Sequence, residues 1–149
     1  MKISAIIFDW KRTLYDPDSK ILVAGAEELL ATAQGLSIPL YLIGKGGEDM
    51  YAETKRLGIE NYFTKIVFEE GAKEESLFVP FISSDPSTTV FIGDRIQSEL
   101  AVGKSLGATT IWVRQGKFAT EMPLGKDQEP DYIVASLYDA KELLTKTLG

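Results

Sequence analysis

Apolar residues gather in six short runs along the chain: ISAIIF at 3–8, IPLYLI at 38–43, KIVFE at 65–69, TTVFI at 88–92, TTIWV at 109–113 and YIVAS at 132–136. Each is too short for a helix, so each predicts a strand. The segments between them follow a helical period. AGAEELLATAQG, residues 24–35, puts Ala26, Leu29, Leu30 and Ala33 on one face, with Gly35 as a C′ stop. Further helices are expected over 47–57, closed by Gly58, over 73–82, weakened at its end by Pro80, and over 98–107. A closing helix over 137–148 has Ser136 as its N-cap. Residues 10–22 read as a polar, turn-rich stretch with a turn at DPDS, 16–19, and residues 114–130 as a long loop. Strands alternating with helices predict a parallel α/β sheet covered on both faces.

Length and composition narrow the chemistry. The 149 residues are read as a single core domain, 1–149, and 44% apolar with 26% charged residues is an ordinary globular balance. With no cysteine and no histidine, disulfides, thiolate sites, cysteine nucleophiles and the usual general base are excluded. A net charge of −6 offers no bulk field for nucleic acid, so anions must be met by local cations. The N-terminal apolar run is too short for a signal peptide, and no stretch reaches the length of a membrane span. The expected location is cytoplasmic.

In open parallel sheets, ligands bind outside the carboxyl ends of the strands. The residues there are Asp9, Gly44-Lys45-Gly46-Gly47, Glu69-Glu70 and Gly93-Asp94. If the strands carrying Asp9 and Asp94 are neighbours, two carboxylates converge, and with a backbone carbonyl and waters they suit Mg²⁺. Glu99 can reach the same ion or hold its water. Lys73 can offset the charge of Asp9 and of a phosphate, and Thr13 can brace the loop. Singly these residues are unremarkable: an aspartate closing a strand is usually a turn residue, and a lone lysine usually faces solvent. Gathered at one edge, they are the kit for phosphoryl transfer through an aspartyl-phosphate.

The ordered set AIIFDWKRTL, LYLIG, GAKEESLF and VFIGDRIQSEL resembles the haloacid dehalogenase (HAD) superfamily, whose phosphatases carry hhhhDxDGT, hhhh[ST], a Lys and hhhGDxxxxD. The resemblance covers essentially the whole chain. It implies a HAD-like Rossmannoid three-layer sandwich, with Asp9 as nucleophile and with Lys73 and Thr13 as catalytic support. It also implies a Mg²⁺ site of Asp9, Asp94, Glu99 and the backbone carbonyl of Lys11, and a phosphorylated substrate, small or macromolecular. About thirty residues separate Asp9 from the second run, and one helix separates the third from the fourth, so neither insertion point holds a cap domain. The capless layout implies an open site or one covered by a neighbouring subunit in a homo-oligomer.

Three departures bear on function. Lys11 stands where the second aspartate, the general acid and base, is expected. Arg12 replaces the glycine, and Gly44 replaces the Ser/Thr. A cationic lysine cannot serve as the base, a role typically worth ~10²–10⁴ in rate. Lys11, Gly44 and Lys45 are also candidates for substrate binding: Lys11, Arg12 and Lys45 as an anion-attracting rim, and GKGG as a glycine-rich phosphate cradle; the other reading of Lys11 and Arg12 is solvent exposure. Two functions stay open. One is a Mg²⁺-dependent phosphomonoester phosphatase weakened by Lys11. The other is an inactive HAD domain that binds a phosphate ligand or a protein.

Overall fold

The structure, a computed structural model, describes residues 2–148. Among the described residues eight strands are present: β1 (Ala5–Phe8), β2 (Tyr15–Asp16), β3 (Ile21–Leu22), β4 (Leu40–Lys45), β5 (Lys65–Glu69), β6 (Thr89–Gly93), β7 (Thr109–Val113) and β8 (Tyr132–Val134). The helices are α1 (Ala26–Gln34), α2 (Glu48–Arg56), α3 (Glu75–Phe78), α4 (Glu99–Ser105) and α5 (Leu137–Leu143). Six strands form a parallel sheet in the order β5-β4-β1-β6-β7-β8. The chain builds outward from β1 on one side and then crosses to β6 on the other, so the strand order reverses between β1 and β6.

Strand alternation divides the core. Ile6 and Phe8 of β1 join α1, α5 and Met50 of α2 on one face. Ile7, between them, joins Phe78 of α3 and Leu100 of α4 on the other. Successive side chains on a strand point to opposite faces, so a strand buried on both sides reads as continuously apolar. The result is three layers, helix, sheet and helix.

The sequence expectations hold for β5 and β7 to the residue and for the Ser136 cap, whose hydroxyl accepts from the Asp139 N–H at 3.2 Å. Gly58 closes α2 at φ 73, the left-handed region where a β-carbon is penalised. Other expectations need correction. Gly35 has φ −64 and is not a left-handed stop; Ser37, at φ 57, takes that conformation. The second strand begins at Leu40, beyond Pro39, and runs on through Gly44 and Lys45, which pair with Phe68 and Glu69. The expected 73–82 helix shrinks to the single turn of α3, followed by a 3₁₀ turn at Val79–Phe81 around Pro80, and Lys73 lies ahead of it. The turn-rich 10–22 stretch contains the β2–β3 hairpin, with Tyr15 opposite Leu22. The closing helix is α-helical only to Leu143 and continues as a π turn over Leu144–Leu148.

Among the described residues, no domain is inserted over the carboxyl edge. The β1–α1 connection carries only the hairpin, and the β5–β6 connection only α3 and short turns. Among the described residues, no helix is long and apolar enough to cross a membrane.

Trp10 organises this edge. It is fully buried, stacks on Tyr15 with ring centroids 4.9 Å apart, and meets Phe68 edge-on at 6.1 Å. The Tyr15 hydroxyl donates to Glu53 of α2 at 2.6 Å, which ties the hairpin to the helix layer. Gly44 lies directly against the Trp10 side chain: a β-carbon there would stand 2.6 Å from Trp10 Cβ and 3.1 Å from Phe68 Cε1. The missing hydroxyl at position 44 is therefore a packing consequence of Trp10.

Gly44→Ser should then destabilise the fold by about 1–3 kcal/mol, the usual cost of overpacking. In a Trp10→Ala background, the same change should cost much less. Urea unfolding of the four proteins in this cycle checks the coupling, and an equal penalty in both backgrounds would show that Trp10 is not what excludes a side chain from position 44.

Candidate active site

The carboxyl ends of β1 and β6 lie side by side, Phe8 opposite Ile92, and the Asp9 N–H extends the ladder to the Ile92 carbonyl at 3.0 Å. Asp9 and Asp94 are thereby held as neighbours. Trp112 Nε1 donates to the Asp94 carbonyl at 2.9 Å and fixes its backbone. Glu99, at the start of α4, folds back over Gly93; a β-carbon on Gly93 would lie 2.5 Å from Glu99 Oε1, so the glycine makes room for the carboxylate. The Arg95 N–H donates to that same oxygen at 3.2 Å.

All three carboxylates are buried, and one oxygen from each lies within 4.8 Å of the others. The Lys73 ammonium, itself buried, pairs with Asp9 Oδ1. Thr13 Oγ1 stands 3.1 Å from Asp9 Oδ2 and 3.3 Å from Asp94 Oδ1. The five residues assigned to catalysis or metal on side-chain grounds thus converge.

A cavity of about 220 Å³ opens over them, and Lys11, Arg12 and Lys45 are among the residues that line it. Lys11 forms a bridge with Tyr15 through the Trp10 carbonyl and the Arg12 N–H, which leaves its own carbonyl out of that pairing. Gly44 does not line the cavity; it is buried behind Trp10 and bears on the site only through that contact. The GKGG cradle is not formed: the Gly46 N–H donates to the Glu69 carbonyl at 3.2 Å, and Gly47 faces the Glu70 carboxylate.

Arg95, Ser98 and Phe118 also line the cavity and were not anticipated. Arg95 follows Asp94 directly, which was a usable signal. Phe118 comes from the long loop after β7, where no periodicity marks it. Arg95 stacks on the Phe118 ring at 4.1 Å and bonds Glu121 at 2.8 and 3.2 Å.

A family model for HAD-hydrolase-like proteins matches residues 60–140, more than half of the chain. The chain belongs to the HAD-like hydrolase family. A glyceraldehyde 3-phosphate phosphatase of Pyrococcus furiosus is 27% identical over 101 residues, 63% of this chain and 42% of that protein. The chain thus spans less than half the length of this curated relative. Among solved structures, a haloacid dehalogenase-like family hydrolase from Xanthomonas campestris superposes with TM-score 0.78 at 13% identity, over 97% of this chain and 95% of that one. The HAD-hydrolase YfnB of Bacillus subtilis, solved bound to magnesium, gives TM-score 0.69 at 21% identity, over 84% of this chain and 57% of that one. At these identities the structural likenesses speak to the fold.

The HAD carboxylate cluster is electrostatically incomplete. Burial, then the charges of Asp9 and Glu99, push Asp94 up to about 9. Burial, then the charge of Asp9, pushes Glu99 up to about 7. Asp9 is also opposed by burial, but the Lys73 charge and hydrogen bond outweigh it and hold Asp9 below the usual carboxylate range. Asp94 Oδ2 is buried with no hydrogen-bond partner among the described residues. An orphaned oxygen, hard donors and one cation for three acids fit a divalent oxygen-seeking ion held by Asp9, Asp94 and Glu99.

This has a testable pH signature. Asp94 and Glu99 bind protons more tightly when folded than when unfolded, so their contribution to metal-free stability is present at low pH and lost as pH rises toward 7 and then 9. The metal-free melting temperature should therefore fall between pH 5 and 9, apart from other groups. A divalent cation requires the deprotonated forms, so the Mg²⁺-induced shift should grow over the same range. Asp94→Asn should raise the metal-free melting temperature at pH 8 and abolish the Mg²⁺ shift. A Mg²⁺ shift that survives Asp94→Asn would exclude Asp94 as a ligand.

Proposed function

We propose that the chain is a Mg²⁺-dependent phosphomonoester phosphatase of the capless kind, working through an aspartyl-phosphate on Asp9 with a slow second half-reaction. The observation that carries this reading is the buried Asp9 carboxylate, gripped by Lys73 and Thr13 and flanked by Asp94 and Glu99 at the sheet's switch point. Phosphatase activity in the Pyrococcus furiosus relative and bound magnesium in YfnB support it.

Asp9 is kept ionised by Lys73 and is therefore a nucleophile at neutral pH. Its oxygen attacks the phosphorus. The ester P–O bond breaks, and the leaving oxygen takes the electron pair and a proton from solvent. Lys73, Lys11 and Lys45 face the phosphoryl oxygens, where negative charge must be stabilised. A magnesium ion on the three carboxylates would supply further charge neutralisation there. Water then attacks the phosphorus of the aspartyl-phosphate, the bond to Asp9 breaks, and inorganic phosphate leaves. The attacking water must lose a proton, and the residue two positions after Asp9 is Lys11, not a carboxylate. Missing base catalysis slows this step by ~10²–10⁴.

The cavity is bordered by loops and not by an inserted domain, which suits small or macromolecular phosphate esters, with a second subunit as the alternative cover. The packing of Trp10 against Gly44 favours a second reading, a phosphate-binding module without turnover, because it removes a hydroxyl from the phosphoryl site.

A Mg²⁺-dependent screen of phosphate esters, with Asp9→Asn as control, separates the two. Wild-type protein should show a burst of one leaving group per site followed by slow turnover. Lys11→Asp should raise the steady rate by up to ~10²-fold, because it restores the base but not the hydroxyl at position 44. If an activated phosphodonor with Mg²⁺ phosphorylates Asp9 in neither protein, the non-catalytic module is the correct reading.

A further inference from the structure

Arg12 occupies an unusual place. Its backbone sits at φ 65, the left-handed region in which a side chain is penalised and glycine is not. The conformation is required by the local turn, since the Arg12 N–H donates to the Tyr15 carbonyl at 2.7 Å while Thr13, Leu14 and Tyr15 all donate to the Trp10 carbonyl. Glycine would meet this requirement without strain. A large charged side chain that persists at a strained position asks for a role outside the turn.

The guanidinium lies 6.0 Å from the centre of the Phe118 ring, at the wall of the catalytic cavity. Beside that cavity is a larger one of about 450 Å³, formed by the β2–β3 hairpin and the loop after β7. Arg12 lines both, and no other residue does. Among the described residues, its guanidinium makes no ion pair and no side-chain hydrogen bond. Asp16 feels the Arg12 charge but spends its own carboxylate on the Ser19 hydroxyl at 2.7 Å and the Asp18 N–H at 2.9 Å. Arg95, the other arginine at the catalytic cavity, is already bound to Glu121. A planar fork of five donors is thus left open at the wall that the two cavities share.

Charge balance says what it is open to. A divalent ion and Lys73 together offset the three buried carboxylates. Lys11 and Lys45 then match the two charges of a phosphate monoester. Arg12 remains, in a chain whose net charge is −6, so its retention at this edge is not a matter of general basicity. A leaving group extending from the phosphorus toward the larger cavity passes Arg12.

We propose that Arg12 is the specificity-determining residue of this site and selects phosphate monoesters whose leaving group carries a second oxyanion, a carboxylate or a second phosphate. This rests on the phosphatase reading for its chemistry but not for its binding. The guanidinium engages the second oxyanion in a two-pronged pair, with the first phosphate held below it by Lys11, Lys45 and Lys73. Asp16 and Asp18 on the wall of the larger cavity disfavour an anion placed beyond Arg12, which sets the second charge at Arg12 itself and leaves the rest of that cavity to uncharged atoms.

The test compares 3-phosphoglycerate with glycerol 3-phosphate, which differ by a carboxylate in place of a hydroxymethyl group. In the wild type with Mg²⁺, kcat/KM should favour 3-phosphoglycerate by about ten-fold or more, the usual scale for a charge-assisted pair, and the ratio should shrink as salt is raised. Arg12→Gly and Arg12→Gln should both bring the ratio to about one. Arg12→Gly relieves the backbone, so it should do so without loss of melting temperature, which a merely structural arginine would not allow; Arg12→Gln keeps the side-chain length if the glycine variant is poorly folded. Calorimetric binding of the same two compounds to Asp9→Asn protein with Mg²⁺ reads recognition without turnover. If the wild type hydrolyses neither compound but Asp9→Asn binds 3-phosphoglycerate more tightly in an Arg12-dependent way, the phosphatase reading falls and the role of Arg12 stands. If the two compounds bind equally, or if the preference survives both Arg12 variants, the role of Arg12 is overturned whatever the hydrolysis result.

Discussion

Three buried carboxylates, two at the ends of adjacent strands and one at the start of α4, with the buried Lys73 ammonium among them, are the constraint around which this molecule is arranged. Burying one unpaired charge is costly, and burying several of like sign is worse. The fold answers with Lys73 on Asp9, the Thr13 hydroxyl between Asp9 and Asp94, and the Arg95 N–H on Glu99. These partners do not complete the balance, since Asp94 and Glu99 hold protons well above the ordinary carboxylate range and Asp94 Oδ2 has no hydrogen-bond partner among the described residues. A divalent ion held there would fill this deficit and would thereby bind the folded chain in preference to the unfolded one.

The departures from the HAD pattern form a connected set. Trp10 fills the space beside β4, so position 44 has no room for a side chain, and the hydroxyl is lost. The same tryptophan stacks on Tyr15, whose hydroxyl reaches Glu53, and Glu53 in turn grips Arg56 at 2.7 Å. That chain of contacts fixes the hairpin against α2 and so sets the turn in which Lys11 and Arg12 are displayed. Against the HAD pattern, a hydroxyl has given way to Gly44, a carboxylate to Lys11 and a glycine to Arg12, so the edge gains two positive charges. The packing accounts for the first of these changes.

The sheet and the acidic centre were legible because they rest on local, periodic signals. Apolar runs of four to six residues specify buried strands, and the ends of those runs name Asp9 and Asp94 directly. Glu99 and Lys73 followed from spacing. The hairpin was not legible, because β2 and β3 are two residues each and are held by the Trp10–Tyr15 stack and not by alternation. The third helix was overread, since helical period in GAKEESLFVPF does not reveal that Pro80 and the approach of Lys73 to Asp9 leave room for one turn. The glycines at 44–47 looked like a phosphate cradle, but their N–H and space are taken by Glu69, Glu70 and Trp10, partners remote in sequence.

The loop after β7 was equally silent, and its energetics explain why it still matters. Arg95 stacked on Phe118 contributes about 0.5–1 kcal/mol in a partly exposed setting, and its pair with Glu121 about as much again. Gln97 adds backbone and side-chain bonds to Glu121 and Met122 at 2.9 and 2.6 Å, and Arg114 donates to the Ala119 carbonyl at 2.8 Å. No single contact here is strong, and none involves a fully buried apolar anchor. Together they place Phe118 at the wall of the catalytic cavity, and because Arg95, which lies over that ring, follows Asp94 directly, the acidic centre and the wall beside it share one stretch of backbone.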